Sequence, residues 1–172
     1  MKKKTTNRKL PAILRWIGWV LLVQFVLFNI SAALYAHKFT HVSEDPSLRQ
    51  SKPARNIFAK TWRLFSGPRQ SKSVINRMPV FPFDTITLQT KKGIQIDAWF
   101  GKTDSLPKGV ILLFHGLQSN KGMLITEAND FRFQGVDVLL VDFRAHGNST
   151  GKITTLGVRE TEEVKLAFDY AL

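Results

Sequence analysis

The chain has 172 residues, 44% of them hydrophobic, and carries 25 Lys+Arg against 13 Asp+Glu for a formal charge of +12. That composition excludes disorder throughout, and the lack of cysteine excludes a disulfide framework, a thiolate nucleophile and Cys-ligated zinc or iron–sulfur centres. Residues 1–80 hold 15 cations and two acids (Glu44, Asp45) while residues 81–172 hold 10 and 11, so the C-terminal part is near neutral, unlike a module that grips nucleic acid.

The leader, residues 1–15, places Lys2, Lys3, Lys4, Arg8, Lys9 and Arg15 before a charge-free run from Trp16 to His37. The 21 residues from Trp16 to Ala36, at about 1.5 Å rise per residue, make a helix about 31 Å long, which matches the hydrocarbon core of a bilayer. Trp16, Trp19 and Tyr35 lie near the two ends, where amphipathic rings favour the headgroup region. Residues 16–37 therefore read as a transmembrane helix or signal anchor whose partner is membrane lipid. A cleaved signal peptide also fits, because Ser31-Ala32-Ala33 supplies small residues for cleavage, but the apolar run is longer than an ordinary signal core of about 7 to 15 residues and this favours the anchor. Six cations precede the span and four follow it closely (Lys38, Arg49, Lys52, Arg55), partly offset by Glu44 and Asp45. In a bacterial chain this bias keeps the N-terminus inside and sets the rest in the periplasm or outside; cleavage would instead release a secreted domain.

Residues 38–80 are basic and punctuated by Pro46, Pro53, Gly67-Pro68 and Pro79, and read as a connector. Within it Phe58, Trp62 and Phe65 recur at i, i+4, i+7 while Arg55, Lys60 and Arg63 supply a polar side, which predicts a short amphipathic helix. Such a helix either lies on anionic lipid or docks its aromatic stripe on the following domain; docking is the preferred reading.

From residue 81 the pattern changes to alternating elements. Residues 84–90 and 94–100 have period-2 alternation around Lys91-Lys92-Gly93, a hairpin. Val110 to Phe114 and Val136 to Val141 are short apolar runs of the kind found in strands buried on both faces. Between them Asn120 to Phe133 reads as a helix with Met123, Leu124, Ala128 and Phe131 on one face, ended by Gly135. Thr155 to Leu172 reads as a second helix with Val158, Val164, Leu166, Ala167 and Tyr170 inward and Glu160, Glu162 and Glu163 in water. Strand–helix–strand–helix predicts an α/β domain over 81–172, a parallel sheet with an antiparallel start.

Two loops carry the chemistry. Phe114-His115-Gly116-Leu117-Gln118-Ser119-Asn120-Lys121 joins a strand to a helix, and a glycine there lets the backbone turn and present amide hydrogens to a developing oxyanion. Asp142-Phe143-Arg144-Ala145-His146-Gly147-Asn148-Ser149 follows the next strand, with Asp142 26 residues after Gly116. The pair resembles the N-terminal half of an α/β-hydrolase domain, and more narrowly the serine aminopeptidase-like and monoacylglycerol-lipase-like group. In that group one strand ends in His-Gly-x and the next in Asp-x-Arg-Gly-His-Gly-x-Ser; Ala145 stands here for the usual Gly. The resemblance covers Phe83 to Leu172. It implies a membrane-anchored serine hydrolase acting on an ester, thioester or peptide bond of a small-molecule, lipid or peptide substrate, without a cofactor. It also implies that the Leu117 N–H is one oxyanion-hole donor, in the loop of His115 and Gly116.

Gly147-Asn148-Ser149-Thr150-Gly151 matches G-x-S-x-G in letters, but the strand stops at Val141 and no helix follows at once, so Ser149 is not read as the nucleophile. None of the four histidines fits the base: His37 and His41 flank the span, and His115 and His146 belong to the two loops. The fold orders its triad Ser, Asp or Glu, then His, after these elements, and such a domain takes about 200 or more residues. With 92 residues after Val80, the expectation is a chain truncated before the nucleophile and inactive by itself. A different class, a non-enzymatic tethered interaction module derived from a hydrolase, is the alternative. Asp142, Arg144 and His146 are expected to brace the loops, the first two as an ion pair. Ser119 is expected to cap or turn, and the histidines lack metal-ligand spacing.

Overall fold

The computed structural model describes residues 9–45, 48 and 56–172. Lys2, Lys3, Lys4, Arg8, Pro46, Arg49, Lys52, Pro53 and Arg55 lie outside the described residues. Two compact units result, one joining residues 9–37 to 56–68, the other joining 38–45 to 69–172.

In the first unit α1 spans Lys9–Thr40 and is long and apolar enough, by length and composition, to cross a membrane. Its large side chains are exposed on every side, Trp16, Trp19, Phe25 and Phe28 among them. A second helix, α2, spans Ile57–Ser66 and starts where the Asn56 side chain accepts the Ala59 N–H at 3.1 Å. It ends at Gly67, whose φ of 79° suits glycine and where a Cβ would stand 2.9 Å from the Tyr35 ring. The Ser31 hydroxyl donates to the Phe65 carbonyl at 2.5 Å. Phe58 and Trp62 of the predicted aromatic stripe are 82% and 61% exposed.

In the second unit β1 (Val42–Ser43) and β2 (Gln70–Ser71) form a short parallel pair. Residues 69–80, read as connector, thus belong with the sheet. The main sheet contains β3 (Phe83–Gln89), β4 (Gln95–Gly101), β5 (Val110–Phe114) and β6 (Asp137–Val141) in the order β3-β4-β6-β5. β3 and β4 are the antiparallel hairpin, β4 and β6 are antiparallel, and β5 and β6 are parallel. Side chains alternate across β6: Val138 and Leu140 pack with Phe81, Trp99 and Ala128 on one face, Leu139 and Val141 with Ile96, Ala98 and Ala167 on the other. β6 is wholly buried, whereas β5, expected to be so, is half-buried along its length because it stands at the edge of the four strands.

The two helices differ in detail from expectation. Lys121–Leu124 forms a 3-10 turn before α3 (Ile125–Phe133), because the Asn120 side chain accepts the Gly122 N–H at 3.0 Å and Asp142 takes the Lys121 N–H at 2.7 Å. Met123 is left exposed by that turn while Leu124, Ala128 and Phe131 pack on the sheet. The last helix, α4, begins at Thr161 rather than Thr155 and runs to Ala171. Leu156 and Gly157 have φ of 54° and 105°, and the Glu160 carboxylate gathers the Thr155 and Gly157 amides at 2.8 and 2.9 Å and the Thr154 and Thr155 hydroxyls at 3.0 and 2.7 Å. Val158 is consequently exposed, and Glu160 and Glu163, read as solvent-facing, are buried.

Candidate active site

Because β5 and β6 are parallel neighbours with Phe114 opposite Val141, the loops that follow leave the sheet side by side at its carboxyl end. That end is where open α/β sheets bind ligands. His115 and His146 connect the two loops in the same way. His115 Nδ1–H donates to the Gly116 carbonyl at 2.7 Å, which leaves Nε2 to accept the Phe143 N–H at 3.1 Å. His146 Nδ1–H donates to the Arg144 carbonyl at 2.8 Å, and its Nε2 accepts the Gln118 N–H at 3.2 Å. Both rings are neutral in this arrangement. Burial lowers the His115 pKa below its usual 6.5, aided by neighbouring His146 and opposed by the Gly116 carbonyl.

In the first loop the amides of Gln118, Ser119, Lys121, Gly122 and Met123 all have acceptors. Among the described residues the Gly116, Leu117 and Asn120 N–H groups have none, and of the three residues Leu117 lies in the turn after Gly116 with its side chain exposed, whereas Asn120 is buried. Leu117 is outside any helix or strand. Gln118, with φ of 61°, turns the chain immediately after it. This is the geometry an amide needs if it is to serve an incoming anion.

A strip of chain after β1's partner holds the loops from outside. The Gln118 side-chain amide donates to the Gln70 side-chain oxygen Oε1, and the Ser73 hydroxyl donates to the Ser119 carbonyl at 2.5 Å while accepting the Gly147 N–H at 3.3 Å. Lys72 Nζ donates to the Ser149 carbonyl at 2.7 Å, and the Asn120 side chain to the Val74 carbonyl at 3.0 Å. Sequence reasoning missed Gln70, Lys72 and Ser73. Ser119 is a turn residue, its N–H donating to the Gly116 carbonyl, and the cap of the 3-10 turn is Asn120.

Beneath the loops lie two buried charge clusters. Asp142 and Arg144 brace the second loop, but not as the mutual pair expected from their proximity in sequence. Asp142 pairs with fully buried Lys121 at 2.5 Å and also accepts the Asn148 N–H at 2.9 Å. Lys121 Nζ bridges to Asp97 of β4 and lies 4.6 Å from the Trp99 ring centre. Arg144 pairs instead with Glu163 of α4, and donates to the Arg159 carbonyl at 3.2 Å. Burial raises the Glu163 carboxyl above its usual range against the pull of the Arg144 amide and guanidinium. Glu160 goes the other way: burial would raise it, yet its hydrogen bonds from Thr155 and Gly157 outweigh that and bring it down to about 2.

Gly147 is required where it stands. Its φ is 47°, and a Cβ would overlap the Asp142 carboxylate. Ser149 is fully buried, its hydroxyl donating to the Asp142 carbonyl at 2.7 Å and accepting the Asp97 N–H at 2.9 Å, so the G-x-S-x-G letters at 147–151 mark a structural serine. Among the described residues no group of three His, Asp or Glu converges as a metal site.

No protein-family model and no curated protein matches the chain. Solved structures do. The esterase Pf2001 of Pyrococcus furiosus is 28% identical over 58% of this chain and 41% of its own length, with a TM-score of 0.50. An alpha-beta hydrolase from Vibrio vulnificus is 16% identical over 84% of this chain and 41% of its own length, with a TM-score of 0.43. The chain thus spans about two fifths of the length of the esterase it matches. Its sheet, hairpin first and parallel strands after, is a partial α/β-hydrolase sheet preceded by one apolar helix.

Proposed function

We propose that this chain is the oxyanion-side portion of a membrane-anchored serine hydrolase of the serine aminopeptidase-like and monoacylglycerol-lipase-like kind, cleaving an ester, thioester or peptide bond. The observation that carries the reading is the exposed Leu117 N–H, which has no acceptor among the described residues and sits in the turn between Gly116 and the committed Gln118 amide. The esterase likeness makes ester substrates the first class to test. In this reading the attacking serine and its acid and base come from sequence outside these 172 residues, since His115 and His146 already use both ring nitrogens and Ser149 is locked to backbone.

The chemistry follows from the fold. The serine oxygen adds to the carbonyl carbon as the base takes its proton, and the carbonyl oxygen becomes an anion held by the Leu117 N–H and by the amide after the nucleophile. Collapse expels the alcohol, thiol or amine, which receives that proton, and water repeats the sequence to release the acid. α1 holds the domain at the inner membrane as a single pass, with the sheet on the periplasmic or outer side; its exposed apolar surface and the cation bias of the leader support this.

The test is a fluorophosphonate probe applied to the 172-residue chain and to the product of coding sequence extended past Leu172. The expected result is no labelling of the shorter chain and labelling of the longer one at the serine of a strand-borne G-x-S-x-G. Labelling of the shorter chain that disappears in Ser149→Ala would refute it, as would the absence of hydrolase-like coding beyond Leu172 in every frame, which would leave the tethered interaction module.

A further inference from the structure

We propose that α2 is a membrane-interface helix that lays its apolar face on an anionic lipid surface beside α1. The inference rests on the reading of α1 as a membrane span. At 100° per residue Phe58, Trp62 and Phe65 share one side of α2, Ile57 and Leu64 extend that side, and Lys60 and Arg63 face away. All five apolar side chains are exposed, Leu64 by 80% and Phe65 least, by 36%. Phe65 is the least exposed because it lies beside α1.

That contact decides which solvent the stripe meets. Phe65 closes one side of a groove of about 570 Å³ whose other walls include Trp16, Trp19, Val23, Leu27 and Phe28 of α1. Together with the bond from Ser31 to Phe65 and the seat of Gly67 on Tyr35, it makes the apolar face of α2 continuous with that of α1. If α1 is in lipid, the stripe is at lipid. Charge selects the kind of surface. α2 has no acid, and its cations suit anionic headgroups. A second copy would oppose the same cations, and residues 81–172, with a net charge of −1, offer little attraction.

The natural chain contains no cysteine, so each introduced one is unique. Phe58→Cys and Leu64→Cys on α2, Val23→Cys in α1 and exposed Leu106→Cys in the sheet unit would each carry a polarity-sensitive fluorophore, in full-length chain reconstituted into nanodiscs of phosphatidylcholine with or without phosphatidylglycerol. The expected result is blue-shifted emission at positions 23, 58 and 64. Headgroup-level spin-labelled lipid should quench 58 and 64 severalfold more than 106, and deep spin label should quench 23. Lys60→Glu with Arg63→Glu should reduce the signals at 58 and 64 on phosphatidylglycerol discs and leave 23 unchanged. Emission at 58 and 64 like that at 106, with 23 still in lipid, overturns the proposal while the anchor stands. A blue shift at 58 and 64 without lipid quenching overturns it in favour of a protein cover. A water-exposed 23 removes the anchor reading and the proposal with it.

Discussion

Replacing Lys121 with Met tests the buried charge cluster under the two loops. Lys121 is fully buried, and its ammonium is shared by Asp97 and Asp142, the latter also fully buried. Met has nearly the same length, so packing against Trp99 changes little and the main effect is electrical: two carboxylates lose their common cation. Breaking a buried pair from one side costs about 3–5 kcal/mol, whereas replacing all partners by apolar groups is often neutral. A cost of that size raises the unfolded fraction by roughly 150- to 5,000-fold, and takes a large share of a domain stability of about 5–15 kcal/mol. Urea unfolding of the full chain in detergent, followed by tryptophan fluorescence, measures it, with Trp99 as the reporter in the sheet unit. Adding Asp97→Asn should return part of the loss, since Lys121 is the partner of that carboxylate. Adding Asp142→Asn should return less, because Asp142 also accepts the Lys121 and Asn148 amides and an amide group serves them poorly. A single variant within about 1 kcal/mol of the parent, well below the 3–5 expected, or no coupling in the double-mutant cycle, would refute the reasoning.

Gly147→Ala should prevent the second loop from closing, because the new methyl group overlaps the Asp142 carboxylate at a φ of 47°; loss of about 3 kcal/mol or more in the same unfolding assay is expected, and a change below about 1 would contradict it. Glu160 contributes stability that is fully present above its ordinary 4.5 and lost as the pH falls toward about 2, so the gap between parent and Glu160→Gln in unfolding free energy should close on acidification across that window and stay constant above it. In an active, extended form of the protein, replacing the Leu117 amide by an ester linkage should lower kcat about 10²–10³-fold with KM little changed; an unchanged kcat in steady-state ester hydrolysis would remove Leu117 from the oxyanion hole.

The strands were legible because their signals are local. Alternation marks β3 and β4, and an unbroken apolar run marks β6, which needs apolar side chains on both faces. Charges buried by distant partners were not legible. Glu163 looks like a surface residue until Arg144, 19 positions away, is placed beside it, and Lys121 until Asp97 and Asp142 are. The start of α4 was misplaced for a related reason, since Thr155 to Glu160 has the letters of a helix but its acid is satisfied by backbone amides and hydroxyls of a turn. At the site, His115, Gly116 and Leu117 stood out as a strand-to-helix loop with a glycine. Gln70 and Ser73 lie 48 and 46 residues from the loop atoms they bind, in a stretch without periodicity, and nothing local signals them.

The state of the two histidines bears on the role proposed for the Leu117 amide. Each ring donates from Nδ1 to a carbonyl of its own loop and accepts at Nε2 from an amide of the other, so the loops are joined by bonds that exist only while the rings are neutral. A second proton on His115 would set Nε2–H against the Phe143 N–H, and the burial that lowers its pKa disfavours that state. His146 fixes Gln118, and Ser73 and Gln70 fix the residues on the outer side, so the turn at Leu117 is held from both directions while its own N–H takes part in none of the bonds that hold it. An amide positioned this way needs no rearrangement when charge appears on a bound oxygen, which is the condition under which a hydrogen bond contributes most to lowering a barrier.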